Sequence, residues 1–349
     1  MNNQFIGGNP FGAQSKMLYH IDRLYEYLYK GDTYPVVIET NLTNKCNLSC
    51  YWCINENYHT NIDKLDKDMF IKFLKEFYDK GGQDVTFTGG GEPTQHPDFE
   101  FITKEASKIG LNLALITNGV YNKKYNNIIG KTFEWVRFSL DTVDRDKYKE
   151  WKGVDGVDIA LDNLKELKKY DIQTNINTNI TSKHTLQDII NLSKLTPKYS
   201  TYIQFRPVIP RYFKDDKSYI NENIWEWLEN YRIGRDYVKL SMDKLDDLET
   251  HNQFQFSVCD GHFFNPVLDA NGNLCVCMYH PNDERFVFGN IYKDTFEDIW
   301  ESERRKKVID FVRKLDYRKE CQMCCKLAEI NKFLDFINHP EKNKDCHFL

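Results

Sequence analysis

Three cysteines within eight positions, Cys46, Cys50 and Cys53, have the most pointed chemistry in this chain. Their spacing is C-x3-C-x2-C, with Trp52 directly before the last thiol. Thiolates this close can hold three corners of a cubane iron-sulfur cluster and leave the fourth iron without a local ligand. The same residue type suits zinc, which normally closes its tetrahedron with a fourth nearby Cys or His. His59, six residues beyond Cys53, is the candidate for that role.

Seven of the ten cysteines fall from position 259 onward, and none lies between 54 and 258. Cys259, Gly272 and Cys277 follow C-x12-G-x4-C, and Cys321 and Cys324 follow C-x2-C. Two thiols from a hairpin and two from a later turn can close a four-cysteine site, for zinc as well as for iron. Disulfides explain ten cysteines poorly in a reducing compartment, so the distribution reads as two metal sites at opposite ends of the chain. Cys275, Cys325 and Cys346 are left over. Cys275 alternates with Cys277 along a strand, and its thiol could donate a hydrogen atom to a substrate radical or be an ordinary buried thiol. Cys325 or Cys346 could ligate in place of an assigned cysteine.

These groups need elements to place them. β-prone runs at 35–43, 84–89, 111–118, 135–141, 172–180 and 202–209 alternate with helical patterns such as KDMFIKFLKEFYDKG. Six strand-helix units imply a parallel sheet with right-handed crossovers. The suggestive residues fall at strand carboxyl ends: the cysteines after the first, GGGEP after the second, TNG after the third, Ser139 and Asp141 on the fourth. In a barrel those ends converge on one mouth, so the expected fold is α/β, a partial (β/α)6 TIM-like barrel over 35–240. An N-terminal extension (1–34) precedes it and a metal-stapled module (241–349) follows. That module should contain a hairpin turning at Asn271 and Gly272 and a helix in DTFEDIWESERRKKVIDFVRKL capped by Asp294 or Thr295, whose basic run Arg304 to Lys307 is a solvated face.

At 349 residues the chain can bury a substantial core, and 47 basic against 52 acidic residues, a net charge of −5, give no reason to expect nucleic acid or an anionic membrane as partner. No apolar run reaches membrane-spanning length and the N-terminus lacks the order of a secretory signal, so the expected location is the cytoplasm.

With Trp52 as its aromatic, C-x3-C-x-aromatic-C resembles the signature of the radical S-adenosylmethionine (SAM) superfamily, and the resemblance extends over the six units. It implies that SAM chelates the open iron of a [4Fe-4S] cluster. An electron from the cluster, supplied by a reductant such as flavodoxin or ferredoxin, then breaks the sulfur-to-C5′ bond to give methionine and a 5′-deoxyadenosyl radical. Thr88-Gly89-Gly90-Gly91-Glu92-Pro93 resembles the family's GGE motif, which makes Gly90, Gly91 and Glu92 the expected receivers of the methionyl amino group. Ser139 and Asp141 share a strand face and could bind SAM ribose or carboxylate, or Asp141 could cap the following helix. Asn177 and Asn179 share a face on the fifth strand, where similar family positions touch ribose. Arg206 could bind the SAM carboxylate or serve as a structural ion-pair partner.

The C-terminal cysteines, with Phe288-Gly289-Asn290-Ile291 and Asp298-Ile299-Trp300, resemble the auxiliary-cluster modules called SPASM and Twitch. Cys325 directly follows Cys324, which departs from the full SPASM pattern and favours the Twitch form with one auxiliary [4Fe-4S] cluster. The expected enzyme abstracts hydrogen from a small polar metabolite: a sugar, an aminocyclitol or a nucleotide-linked sugar. The alternatives are a maturase acting on a ribosomally made peptide, against which only 34 residues precede the first strand, and a non-catalytic metal scaffold. Molybdopterin-precursor synthesis is disfavoured because the chain ends CHFL and not in paired glycines.

Overall fold

The computed structural model describes residues 16–55, 63–209, 221–250, 254–280, 282–321 and 324–342. His59 and Cys346 lie outside them. The six expected strands form as β1 (Val37–Asn41), β2 (Asp84–Thr88), β3 (Asn112–Thr117), β4 (Phe133–Ser139), β5 (Gln173–Ile180) and β6 (Tyr202–Pro207). They pair in parallel in sequence order, and a short β7 (Val238–Leu240) adds a seventh parallel strand beside β6. On the other side β8 (Val267–Leu268) pairs in parallel with β1, and β9 (Asn273–Cys275) and β10 (Val287–Asn290) follow antiparallel. The expected barrel and the expected C-terminal module therefore share one ten-stranded sheet, in the order β10-β9-β8-β1-β2-β3-β4-β5-β6-β7.

The helices are α1 (Ile21–Lys30), α2 (Lys67–Asp79), α3 (Phe99–Ile109), α4 (Asn126–Thr132), α5 (Arg145–Lys152), α6 (Val157–Leu167), α7 (Leu186–Ser193), α8 (Glu222–Tyr231), α9 (Met242–Thr250), α10 (Phe296–Glu301), α11 (Glu303–Arg313), α12 (Tyr317–Glu320) and α13 (Ala328–Asn338). Local chemistry sets their starts: Asp66 accepts from two backbone N–H groups to open α2, and Thr185 with Asp188 forms a reciprocal capping box at α7. Strand alternation then sorts the two faces of the sheet. Val136, Phe138, Ile176, Ile203 and Phe205 are buried in one continuous core with Leu164 and Leu167 of α6 and Ile189 and Leu192 of α7. The intervening residues of β4 to β6 point the other way, into the barrel.

The β8–β9 hairpin turns where expected, with Gly272 at φ 80° and Asp269 Oδ1 accepting from the backbone N–H of Asn271 and Asn273. Two local expectations need correction. The C-terminal helix is interrupted at Ser302, whose hydroxyl accepts from Arg305 N and opens a second helix after the Thr295-capped first one. Nor is the basic run a wholly solvated face. Arg305 is 1% exposed, makes hydrogen bonds of 2.8 and 2.7 Å to Asp32, and stacks on Trp300 at 3.9 Å. With Trp300 Nε1 donating to Thr33 O at 2.9 Å, this pair ties the C-terminal region to the segment preceding β1.

Candidate active site

The loop leaving β1 carries Cys46, Cys50 and Cys53, and neighbouring units of the barrel fix its path. Glu92 N donates to Lys45 O (2.9 Å), Asn47 Nδ2 to Val120 O (2.6 Å), Ser49 N to Lys152 O (2.9 Å) and Tyr51 N to Trp151 O (3.1 Å). Burial pushes the Cys46 thiol up to about 12, reinforced by the charges of Glu92, Cys50 and Cys53. Thiols held this way ionise when a metal takes up their charge. Three soft donors in one half-buried loop could hold three irons of a cubane. Among the described residues, no three His, Cys, Asp or Glu groups already stand in metal-coordinating geometry.

Close packing against backbone requires Gly91, whereas the space at Gly90 is bounded by the end of a side chain. A Cβ on Gly91 would collide with the Lys45 carbonyl, and one on Gly90 with Asn44 Oδ1. Glu92, the expected receiver of the methionyl amine, is already engaged by protein donors. Its carboxylate, 3% exposed, accepts from Thr94 N (3.2 Å), Thr94 Oγ1 (2.8 Å), Thr117 Oγ1 (2.7 Å) and Asn118 N (2.8 Å). Glu92 thus positions the glycine turn against the TNG segment after β3. A small cavity beside Gly90 is lined by Asn41, Asn44, Asn55, Asp269 and Met278, so it lies between the barrel mouth and the C-terminal hairpin.

Asp141 does not cap the following helix, because Asp144 caps α5. It is fully buried, pairs with Lys152 Nζ through one oxygen, and through the other accepts from Asn179 N (2.7 Å) and Asn179 Nδ2 (3.3 Å). Lys152 was missed by sequence reasoning. Its ammonium stands 4.9 Å from the Trp52 ring centroid, and its charge opposes the rise that burial imposes on the Cys50 thiol. Burial opposes its charge, but Asp141 and Cys50 outweigh burial and raise its pKa. Trp52 packs edge-on against Trp151 at 6.1 Å and so anchors the cysteine loop. The signal was the Trp-Lys-Gly run at 151–153, whose Gly153 adopts φ 75° against Ser49.

Across β4, β5 and β6 the inward residues form polar rungs. Arg137 stands beside Asn175 and Tyr202, Ser139 beside Asn177 and Gln204, and Asn179 beside Arg206. Asn177 is 5% exposed with its Oδ1 unpartnered, whereas Ser139, Asn179 and Arg206 are half-buried.

At the C-terminal end, Cys259, Cys277, Cys321 and Cys325 lie near enough for their charges to influence one another. The charge of Cys325 bears on each of the other three, and that of Cys277 on Cys259 and Cys321. Cys324, expected in this set, has different neighbours. At φ 57° its side chain turns the other way, donates to Lys244 O at 3.4 Å, and has Lys244, Asp247 and Arg206 as charged neighbours. Asn331 braces the site, with Nδ2 donating to Cys259 Sγ at 3.3 Å and Oδ1 accepting from Asp260 N and Gly261 N. Four thiols with no competing hard ligand could hold an iron-sulfur cluster. Cys275 is 3% exposed and donates to the Asn273 carbonyl of its own strand at 3.6 Å.

Comparison with known proteins assigns the class. A model of the radical SAM superfamily matches residues 40–196, and one of the SPASM iron-sulfur cluster-binding domain matches 259–325. The chain carries a radical SAM domain followed by a C-terminal SPASM iron-sulfur cluster-binding domain. Among its relatives, a GTP 3′,8-cyclase of Clostridium perfringens (strain SM101 / Type A) is 29% identical over 49% of this chain and 55% of its own length. A probable GTP 3′,8-cyclase of Sulfurisphaera tokodaii is 25% identical over 71% of this chain and 82% of its own. The chain thus spans about half the length of the Clostridium relative. Similar solved folds include Streptococcus suis SuiB bound to SAM (TM-score 0.65, 16% identity, covering 88% of this chain and 72% of that one). Another is anSMEcpe with bound SAM and the Cp18Cys peptide (TM-score 0.61, 20% identity, covering 85% and 88%). No helix among the described residues is long and apolar enough to cross a membrane.

Proposed function

We propose that this enzyme abstracts hydrogen from an unactivated carbon of a small polar metabolite, such as a sugar, aminocyclitol or nucleotide-linked sugar, for oxidation, epimerisation or deoxygenation in the cytosol. The observation that carries the reading is the polar lining of β4 to β6, where Asn, Gln, Ser, Tyr and Arg replace the branched apolar residues that fill a closed barrel. Such a lining supplies many hydrogen bonds to a polyhydroxylated ligand. A nucleotide substrate in the names of sequence relatives is consistent with it.

In this reading Cys46, Cys50 and Cys53 hold the cluster that binds SAM, and Cys259, Cys277, Cys321 and Cys325 hold the auxiliary cluster. A reduced SAM-bound cluster supplies the electron that releases the 5′-deoxyadenosyl radical. Gly90 and Gly91 let the methionyl end approach backbone, and Glu92 holds their turn. Lys152 neutralises part of the charge at Cys50 and keeps the loop in place. Ser139, Asn177 and Asn179 would offer hydrogen bonds to the ribose of SAM.

The test is anaerobic incubation of reconstituted enzyme with SAM, dithionite and metabolites grown in deuterium, followed by mass spectrometry of 5′-deoxyadenosine. Deuterium transfer from the dialysable fraction is expected. Transfer only from a peptide fraction, as the peptide complexes of SuiB and anSMEcpe would suggest, would overturn the metabolite reading.

A further inference from the structure

The polar rungs contain two guanidiniums and no carboxylate to meet them. Arg137 points inward from β4 two residues before Ser139, and Arg206 does so from β6 beside Asn179. Both are half-buried, and the Nε of each is shielded from solvent without an acceptor. Among the described residues, neither makes a hydrogen bond or an ion pair. They also sense each other: burial, then the Arg206 charge, push Arg137 down to about 10.

The nearby carboxylates are committed elsewhere. Asp141 pairs with Lys152, Glu39 with Lys326, and Glu92 with its four donors. Lys244 of α9 adds a third cation near Arg206, with Asp243 and Asp247 on its own helix. Desolvated like charges are costly unless something supplies the opposite charge. SAM cannot supply enough, because its single carboxylate is offset by its own ammonium and sulfonium. Two planar guanidinium forks match a carboxylate or a phosphate in charge and geometry.

We propose that Arg137 and Arg206 together bind an anionic group of the substrate, a carboxylate or a phosphate, inside the barrel; the inference rests on the small-metabolite reading above. The test uses the reconstituted holoenzyme with saturating SAM, titrated calorimetrically with inorganic pyrophosphate in one arm and malonate in the other. Wild type should bind at least one probe, the stronger arm identifying phosphate or carboxylate as the source. Arg137→Gln and Arg206→Gln should each weaken that binding about tenfold or more, as expected for a charge-assisted contact.

Without anion, Arg137→Gln should melt higher than wild type, because a like-charge repulsion is gone; a purely structural arginine would lower the melting temperature. Arg137→Lys, which retains charge but not the fork, should fall between wild type and Gln and guards against a variant that misfolds. Equal anion binding in wild type and the double Gln variant, or none in wild type, overturns the proposal. So does a loss of SAM affinity in step with anion affinity, which would assign both arginines to SAM itself. If the anion results hold while no dialysable metabolite gives deuterium transfer, the anion site stands and only the metabolite reading fails.

Discussion

The two cysteine sites are built in opposite ways. At the first, the thiols are close in sequence and the chain around them is held by distant backbone: Lys152, Trp151, Val120 and Glu92 all bond the loop, and the buried Lys152–Asp141 pair backs it. At the second, the thiols are separated by up to 66 positions between Cys259 and Cys325, and the elements between them are a short hairpin and short helices. The first site is a loop shaped by the barrel; the second is a set of loops that a cluster would itself cross-link. Metal should therefore contribute more to folding at the C-terminal site than at the barrel mouth.

The largest test of this contrast is Lys152→Met. It leaves Asp141 buried without a counter-charge, an expected cost of about 3–5 kcal/mol. The loop at Cys50 should loosen, and reconstituted protein should lose about half of roughly eight irons, read by iron and sulfide analysis beside a melting curve. The triple change of Cys46, Cys50 and Cys53 to Ala should lose the same half with little fall in melting temperature. Equal destabilisation by the two variants would break the distinction between a preformed loop and its metal.

Next in size is the effect of metal removal. Hydrogen exchange on apo and reconstituted protein should show protection lost mainly over 259–338, while β2 to β5 keep theirs; uniform loss would place the two sites on equal footing. A narrower test separates adjacent thiols. Cys325→Ala should remove the auxiliary cluster's absorbance and its share of iron, whereas Cys324→Ala should retain both. The reverse outcome would return Cys324 to the ligand set.

The smallest effect lies outside both cysteine sites. At Asp188 burial raises the pKa, but hydrogen bonds from Lys147 and Thr185 outweigh it and leave the carboxyl below its ordinary 3.8. A depressed carboxylate stabilises the fold above its unfolded pKa, and the contribution is lost as pH falls through the native value. The stability gap between wild type and Asp188→Asn, measured by denaturant titration, should be constant near neutrality and shrink below about pH 4.

Much of this was legible in the sequence because it is local. Alternation located β1 to β6 within a few residues, turn chemistry located Gly272, and thiol spacing located both cysteine groups. What escaped depends on partners far apart in the chain. Nothing near Lys152 announces Asp141 or Cys50, and Arg305 looks solvated until Asp32 and Trp300 close over it. Cys324 and Cys325 are adjacent, so the choice between them depends on one left-handed backbone residue that spacing does not encode. Glu92 was read by motif as a ligand, and nothing in that motif announces the donors that Thr117 and Asn118 bring to it from the next strand and its loop.

The pairing of β8 with β1 has a further consequence. The loop after β1 and the hairpin that bears Cys277 grow from neighbouring strands of one hydrogen-bonded sheet, so the gap an electron would cross between two bound clusters is set by backbone geometry. The sheet acts as a ruler. A change that unzips Glu39 and Thr40 from Val267 and Leu268 should slow electron transfer between bound clusters.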